Sequence, residues 1–166
     1  KFKEQNSYEP LVAQEIFHSL PDLNAVSARK ARRASRKARE VEIGQDPEDA
    51  ITILEYPMEK NAQDVITINK GDMKRLQPTE YLNDNLIDLR IKLIMKDLQT
   101  ENPGLTSRFH IFNSLFFTKL CESDDILEGY EFVKRWTKNV DIFEKDFIII
   151  PINDSNHWSL SVIVRP

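Results

Sequence analysis

From about residue 50 onward, apolar side chains recur along this chain with recognisable periods, and those periods predict its elements. Residues 50–56 (Ala-Ile-Thr-Ile-Leu-Glu-Tyr) are β-branched and stop at Pro57, which reads as a strand. Residues 64–68 form a second short extended run, and residues 70–76 a helical turn broken near Pro78. The clearest helix starts near Asn83 and ends by Asn102-Pro103-Gly104. Asn83 or Asp84 is its cap. Its apolar positions Leu86, Ile87, Leu89, Ile91, Leu93, Ile94 and Leu98 make a face broad enough to pack on more than one side. Residues 109–120 are apolar and aromatic with no decisive period. Residues 130–138 read as a short amphipathic helix. Residues 146–152 form a buried strand, 153–156 a turn, and 157–165 a returning strand. In that strand Trp158, Leu160, Val162 and Val164 share one face, and His157, Ser159, Ser161 and Ile163 the other. The class is α+β, with helices before an antiparallel hairpin and no internal repeat. The hairpin should lie in a sheet with an open edge or an uncovered apolar face. Ile149, Trp158, Leu160 and Val162 are the candidates for that face.

Charge changes the picture at the start. Between residues 29 and 39 stand seven basic residues and no acidic one, on a chain whose net charge is -4. The other 16 of the 23 basic residues face 27 acidic ones. Alanines interleave the block, so helix propensity is high, but its apolar side chains are too small to anchor it to a core. Residues 1–49 therefore read as a solvent-exposed arm, partly helical or disordered, and residues 50–166 as the folded part. Three readings of the block stay open: a solvated helix without a partner, a nuclear address, and, least favoured, contact with nucleic acid. Arg32-Arg33-Ala34-Ser35 adds a short kinase-site match.

Composition removes other classes. No apolar run approaches the ~18 residues that cross a membrane. One cysteine, Cys121, excludes an internal disulfide framework. Three isolated histidines, His18, His110 and His157, do not make a zinc constellation with it, so neither metal nor cofactor is expected.

Chemistry gathers at His157-Trp158. A His opening a strand just after a polar turn has a fixed backbone and an approachable ring, and imidazoles trade protons near neutral pH. A Trp beside it offers a flat wall. By residue type alone such a His is more often structural than catalytic. An ordered series of blocks adds to it. These are Glu80-Tyr81-Leu82-Asn83-Asp84-Asn85-Leu86-Ile87-Asp88, the Phe112–Leu120 run, Lys134-Arg135-Trp136-Thr137-Lys138 through Phe143, Pro151-Ile152-Asn153, and His157-Trp158-Ser159-Leu160. In that order and spacing the chain, from about residue 50 to its end, resembles the ubiquitin-like-protein-specific proteases, the Ulp/SENP family of SUMO cysteine proteases. The run Leu54-Glu55-Tyr56-Pro57 and then Val65-Ile66-Thr67-Ile68 is more similar to the branch that trims poly-SUMO chains.

The resemblance implies a papain-like α+β fold of the Ulp/SENP type and SUMO or its conjugates as partner. It implies His157 as general base and Trp158 as the aromatic over the substrate's Gly-Gly tail. Tyr81, where the family often has Trp, would be the opposite wall. Asp84 would pair with an Arg of SUMO, and Arg135 and Lys138 would lie on the SUMO-facing surface. Leu115 falls where some relatives carry Phe. The family's Asp, oxyanion Gln and nucleophilic Cys have no match, so the chain is expected to be the N-terminal half of a catalytic domain, stopping after the His-bearing strand and inactive alone. Cys121 lacks a Gly-rich or helix-start setting, and Glu122, Asp124 and Asp125 disfavour a thiolate. Simpler roles stand beside several of these: helix cap for Asp84, hydrophobic staple for Tyr81, and core anchor for Trp136 among Lys134, Arg135 and Lys138. The alternative function is a non-enzymatic module, from a truncated or degenerate relative, that docks a ubiquitin-like protein.

Overall fold

The computed structural model describes residues 46–59, 62, 64–154 and 156–166. The basic block and the rest of the arm up to residue 45 lie outside them. The chain divides into two compact units, one ending at Thr106 and the other Ser107–Pro166.

The first unit begins with a 3-10 turn, Pro47–Ala50, capped by the Asp46 carboxylate. Strands β1 (Thr52–Tyr56) and β2 (Ile66–Asn69) pair antiparallel, with a register irregularity between Thr52 and Leu54. Helix α1 (Lys70–Lys74) follows β2 without a break. Asn69 and Asp72 form its capping box, each side chain accepting from the other's backbone N–H, at 2.8 Å in both directions. Helix α2 (Asp84–Glu101) starts at the expected place. Asn83 is its N-cap, accepting from the Leu86 N–H at 3.2 Å, and Asp84 is its first residue. Its apolar face is half-buried rather than enclosed: no residue of the helix is fully buried. It packs on β2 and on α3 (Pro103–Thr106), where Pro103 opens a new helical turn instead of only ending the old one.

The second unit is a sheet covered by helices on one face. The ambiguous stretch 109–120 resolves into strand β3 (Phe109–Ile111) and helix α4 (Leu115–Leu120). β3 pairs parallel with β4 (Phe147–Asp154), and β4 antiparallel with β5 (His157–Val164). β4 runs through Asp154, so the turn is shorter than the polar residues suggest, and Asn156 sits at φ 66°, a left-handed conformation that Asn tolerates. Ile148, Ile150 and Ile152 of β4 face the helices and join Phe112, Phe116, Phe117, Leu120, Val133 and Ile142 in one core. Burying each such side chain contributes roughly 1.5–3 kcal/mol.

Helix α5 is Ile126–Val133, not 130–138. The Asp125 carboxylate accepts from the Leu127 and Glu128 N–H groups and starts it early. Residues 134–140 then continue as turns, with N–H groups of Trp136, Lys138 and Val140 bonding three residues back. Trp136 still reaches the core, its ring 5.6 Å from that of Phe116. α5 crosses α4 so closely that a Cβ on Gly129 would lie 2.2 Å from the Leu120 carbonyl oxygen.

The other face of the sheet carries Phe147, Ile149 and Pro151 opposite Val164, Val162 and Leu160. Leu160, Val162 and Val164 are 60%, 48% and 59% exposed. Among the described residues β5 is bonded on one side only, to β4. Of the four residues expected on an uncovered face, Leu160 and Val162 are exposed, whereas Ile149 and Trp158 are half-buried; Val164 joins the exposed ones.

Candidate active site

β4 and β5 place His157 by register. Asp154 is its cross-strand partner and Asn153 that of Trp158. His157 therefore shares a face with Asp154 and Ile152 at the tip of the ribbon, and in such directly opposed pairs Cβ atoms are roughly 4.5–5.5 Å apart. His157 is exposed, as is Ser159 beside it on that face, while Ile148, Ile150 and Ile152 on the same face are buried. Trp158, half-buried, points to the opposite face beside Leu160's side of the ribbon. A rigid two-stranded platform thus presents an approachable imidazole with an indole at the adjoining position. That arrangement suits proton transfer beside a flat apolar surface.

Arg135 and Lys138 are exposed on the turns after α5, joined by the Lys138 N–H to the Arg135 carbonyl at 3.3 Å. Trp136 between them is anchored inward, so the two cations stand outward on a pinned segment. These four residues belong to the second unit; Tyr81 and Asp84 belong to the first. Tyr81 is 61% exposed, which does not fit a hydrophobic staple. Asp84 is half-buried in the first turn of α2, where a carboxylate is stabilised by the helix dipole. Leu115 opens α4 and is exposed.

Cys121 ends α4, half-buried against the core. Among the described residues no group of three His, Cys, Asp or Glu side chains is placed to hold a metal ion.

Sequence reasoning passed over Asp72. Its carboxylate is 4% exposed and accepts from the Asn69 N–H, from Asn83 Nδ2, and from Asn85 Nδ2 at 3.3 and 3.4 Å. The signal was the Asn69-x-x-Asp72 capping pattern; the link to Asn83, across eleven residues, leaves no trace in a periodicity. His110 was passed over too. It lies on β3 opposite Ile148, edge-on to the Phe112 ring at 4.5 Å.

Residues 80–166 match the Ulp1 protease family, C-terminal catalytic domain (Peptidase_C48). The chain belongs to the Ulp1 protease family. It is similar to the "Probable ubiquitin-like-specific protease 2A" of Arabidopsis thaliana, 41% identical over 125 residues, covering 71% of this chain and 16% of that protein. It is similar also to "Ubiquitin-like-specific protease 2" of Schizosaccharomyces pombe, 40% identical over 114 residues, covering 68% and 18%. A solved structure described as "Crystal structure of the de-sumoylating protease" is 31% identical, with a TM-score of 0.57, over 67% of this chain and 41% of that one. The α+β fold is that of the family's catalytic domains. The chain spans under a fifth of these two relatives and about two fifths of the solved chain.

Proposed function

We propose that this chain is part of the catalytic domain of a SUMO-specific cysteine protease, which releases SUMO from conjugates by thiol attack at the Gly-Gly isopeptide bond. His157 is its general base. The observation that carries the reading is the coincidence of two facts. The family match includes His157-Trp158, and that pair opens β5 at an exposed hairpin tip, where a base and an aromatic wall are both within a substrate's reach. In the second unit Trp158 is an aromatic wall for the tail, and Arg135 and Lys138 are charges that orient the folded partner; in the first unit Tyr81 and Asp84 make contacts of the same two kinds. The names of the relatives support a ubiquitin-like protein as the substrate class, and the description of the similar solved structure as a de-sumoylating protease supports SUMO within it. Trimming of poly-SUMO chains belongs to the same proposal and is tested by competition between chains and single SUMO.

We do not assign Cys121 as the nucleophile. It is the only cysteine here, and covalent catalysis needs its thiol beside the base, so the 166 residues alone should turn over no substrate.

Two measurements test this. Calorimetric titration with mature SUMO should show binding that falls when the terminal Gly-Gly is removed. Charge reversal, Asp84→Arg, should weaken it by about 1–3 kcal/mol. A fluorogenic SUMO C-terminal substrate should give no turnover with the chain alone. Turnover lost in Cys121→Ser would instead make Cys121 the nucleophile. In a protein carrying the family's full triad, His157→Ala should abolish hydrolysis and leave SUMO binding in place. Binding with hydrolysis in no form of the protein would leave the non-enzymatic docking module as the reading.

A further inference from the structure

We infer that Asp72 is a positioning residue that holds the segment bearing Tyr81 and Asp84 in its docking geometry; the inference rests on the SUMO reading above. Every residue from Met73 to Leu82 is exposed, so burial of apolar surface does not fix this stretch. Near its start it has three i→i−3 bonds and the Lys74 ammonium pairs with Asp49 at 2.5 Å and Asp46 at 3.4 Å; further on are the Glu80 N–H to the Gln77 carbonyl at 3.2 Å and a solvent-exposed Arg75–Glu80 pair at 3.5 Å. Thr79 sits at φ 75°, a conformation costly for a residue with a Cβ, which persists only where the surroundings impose it.

Asp72 supplies that constraint at both ends. On the α1 side its Oδ2 accepts the Asn69 N–H at 2.8 Å, closing the capping box. On the α2 side its Oδ1 accepts from Asn83 Nδ2, while Asn83 Oδ1 accepts the Leu86 N–H at 3.2 Å. One Asn side chain therefore caps α2 and hands the helix start to the buried carboxylate. Asn85 Nδ2 adds a further donor. The carboxylate is buried among donors that no neutral amide could satisfy, because an Asn at 72 would set its own N–H₂ against theirs or turn away. Asp84 follows the clamped Asn83 directly and Tyr81 lies two residues before it, so the clamp constrains the backbone that carries both. A ring 61% exposed, such as Tyr81, depends on its backbone for placement. Preorganising such a wall before the partner arrives removes an ordering cost from binding.

The test is a coupling measurement on the full chain with mature SUMO as the probe. Asp72→Asn should weaken binding about tenfold or more, as losing a buried charged hydrogen bond does. In a Tyr81→Ala/Asp84→Ala background the same change should cost less than about twofold, because the groups it positions are gone. The exchange variant Asp72→Asn/Asn83→Asp rebuilds a donor–acceptor pair and keeps a helix-capping side chain, so it should regain most of the affinity. Amide hydrogen exchange reads the clamp without SUMO: residues 76–82 should exchange about tenfold faster in Asp72→Asn, with the amides of β1, of Ile66, Thr67 and Ile68, and of mid-α2 unchanged. Equal affinity of Asp72→Asn and wild type, an equal loss in both backgrounds, or faster exchange throughout residues 46–106 would each overturn the inference. Failure of the wild-type chain to bind SUMO, with the loop exchange responding as expected, would overturn the SUMO reading and the docking role, and leave Asp72 as a structural clamp only.

Discussion

His110 sits where a neutral ring is tolerated and a charged one is not. Its Nε2 is buried with no hydrogen-bond partner among the described residues, and the Phe112 ring meets it edge-on. Burial, and then the nearby Lys145 ammonium, hold its pKa below the usual histidine value of 6.5. Above pH 6.5 both folded and unfolded chains carry the ring neutral, and it contributes no pH dependence. As pH falls below 6.5 the unfolded chain takes up the proton first, so stability drops until the folded ring's own pKa is passed. Denaturant titrations at pH 7.5 and 5.5 should therefore show wild type losing more stability on acidification than His110→Gln, which has no imidazole to protonate. Equal losses would place the ring in water rather than against Phe112. In the sequence His110 was one of three isolated histidines, unlike His157 in having no turn before it and no resemblance to carry it. Its environment comes from β3 pairing with a strand 38 residues away (His110↔Ile148), a separation that no local pattern encodes.

Elements whose period is two were legible, because a pleated strand writes its faces directly into alternate positions. The faces read from residues 157–165 are those the register produces, down to Ile163 opposite Ile148. The helix read over 130–138 was displaced for an equally physical reason. Val133 and Trp136 do form an i, i+3 pair toward the core, but successive turns carry Trp136 there as well as a helix would, and Asp125 sets the true start. Gly129 is the position that lets α5 lie on α4. A methyl group 2.2 Å from the Leu120 carbonyl must push backbone aside, so Gly129→Ala should cost about 1–3 kcal/mol in chemical denaturation, despite alanine's better helix propensity. A stabilised variant would show that α4 and α5 separate at no cost to packing. The outer sheet face makes a second expectation at this scale. Leu160, Val162 and Val164 stand exposed on an edge strand, a surface that binds hydrophobic dyes and recruits other strands. The chain should bind such a dye in its native state, and Leu160→Ser/Val162→Ser should reduce the signal without lowering the melting temperature. A cooperative, monomeric melt with no dye binding by wild type would mean that this face is covered in solution.

At the scale of the whole molecule, family and fold class were readable because several blocks in register are far more specific than any one of them. The clamp at Asp72 was not, because it joins two helix starts through side chains alone. The basic block belongs to this scale too, since it lies before the family match, which covers residues 80–166. Seven cations between residues 29 and 39 stand on a chain otherwise strongly acidic, and their interleaved alanines bring too little apolar area to pack them down. Such a segment is available to a receptor that reads positive charge, and we propose that it addresses the protein to the nucleus. Residues 20–45 fused to a fluorescent reporter should concentrate it in nuclei severalfold over cytoplasm. Replacing Arg32, Arg33, Arg36 and Lys37 by alanine, which preserves helix propensity while removing most of the charge, should return it to uniform distribution. Nuclear retention that follows nucleic-acid binding would differ in one respect. It would wash out of permeabilised cells as salt rises, since phosphate contacts weaken steeply with ionic strength. A reporter evenly spread with the intact block would leave those seven charges as a solvated segment without an address.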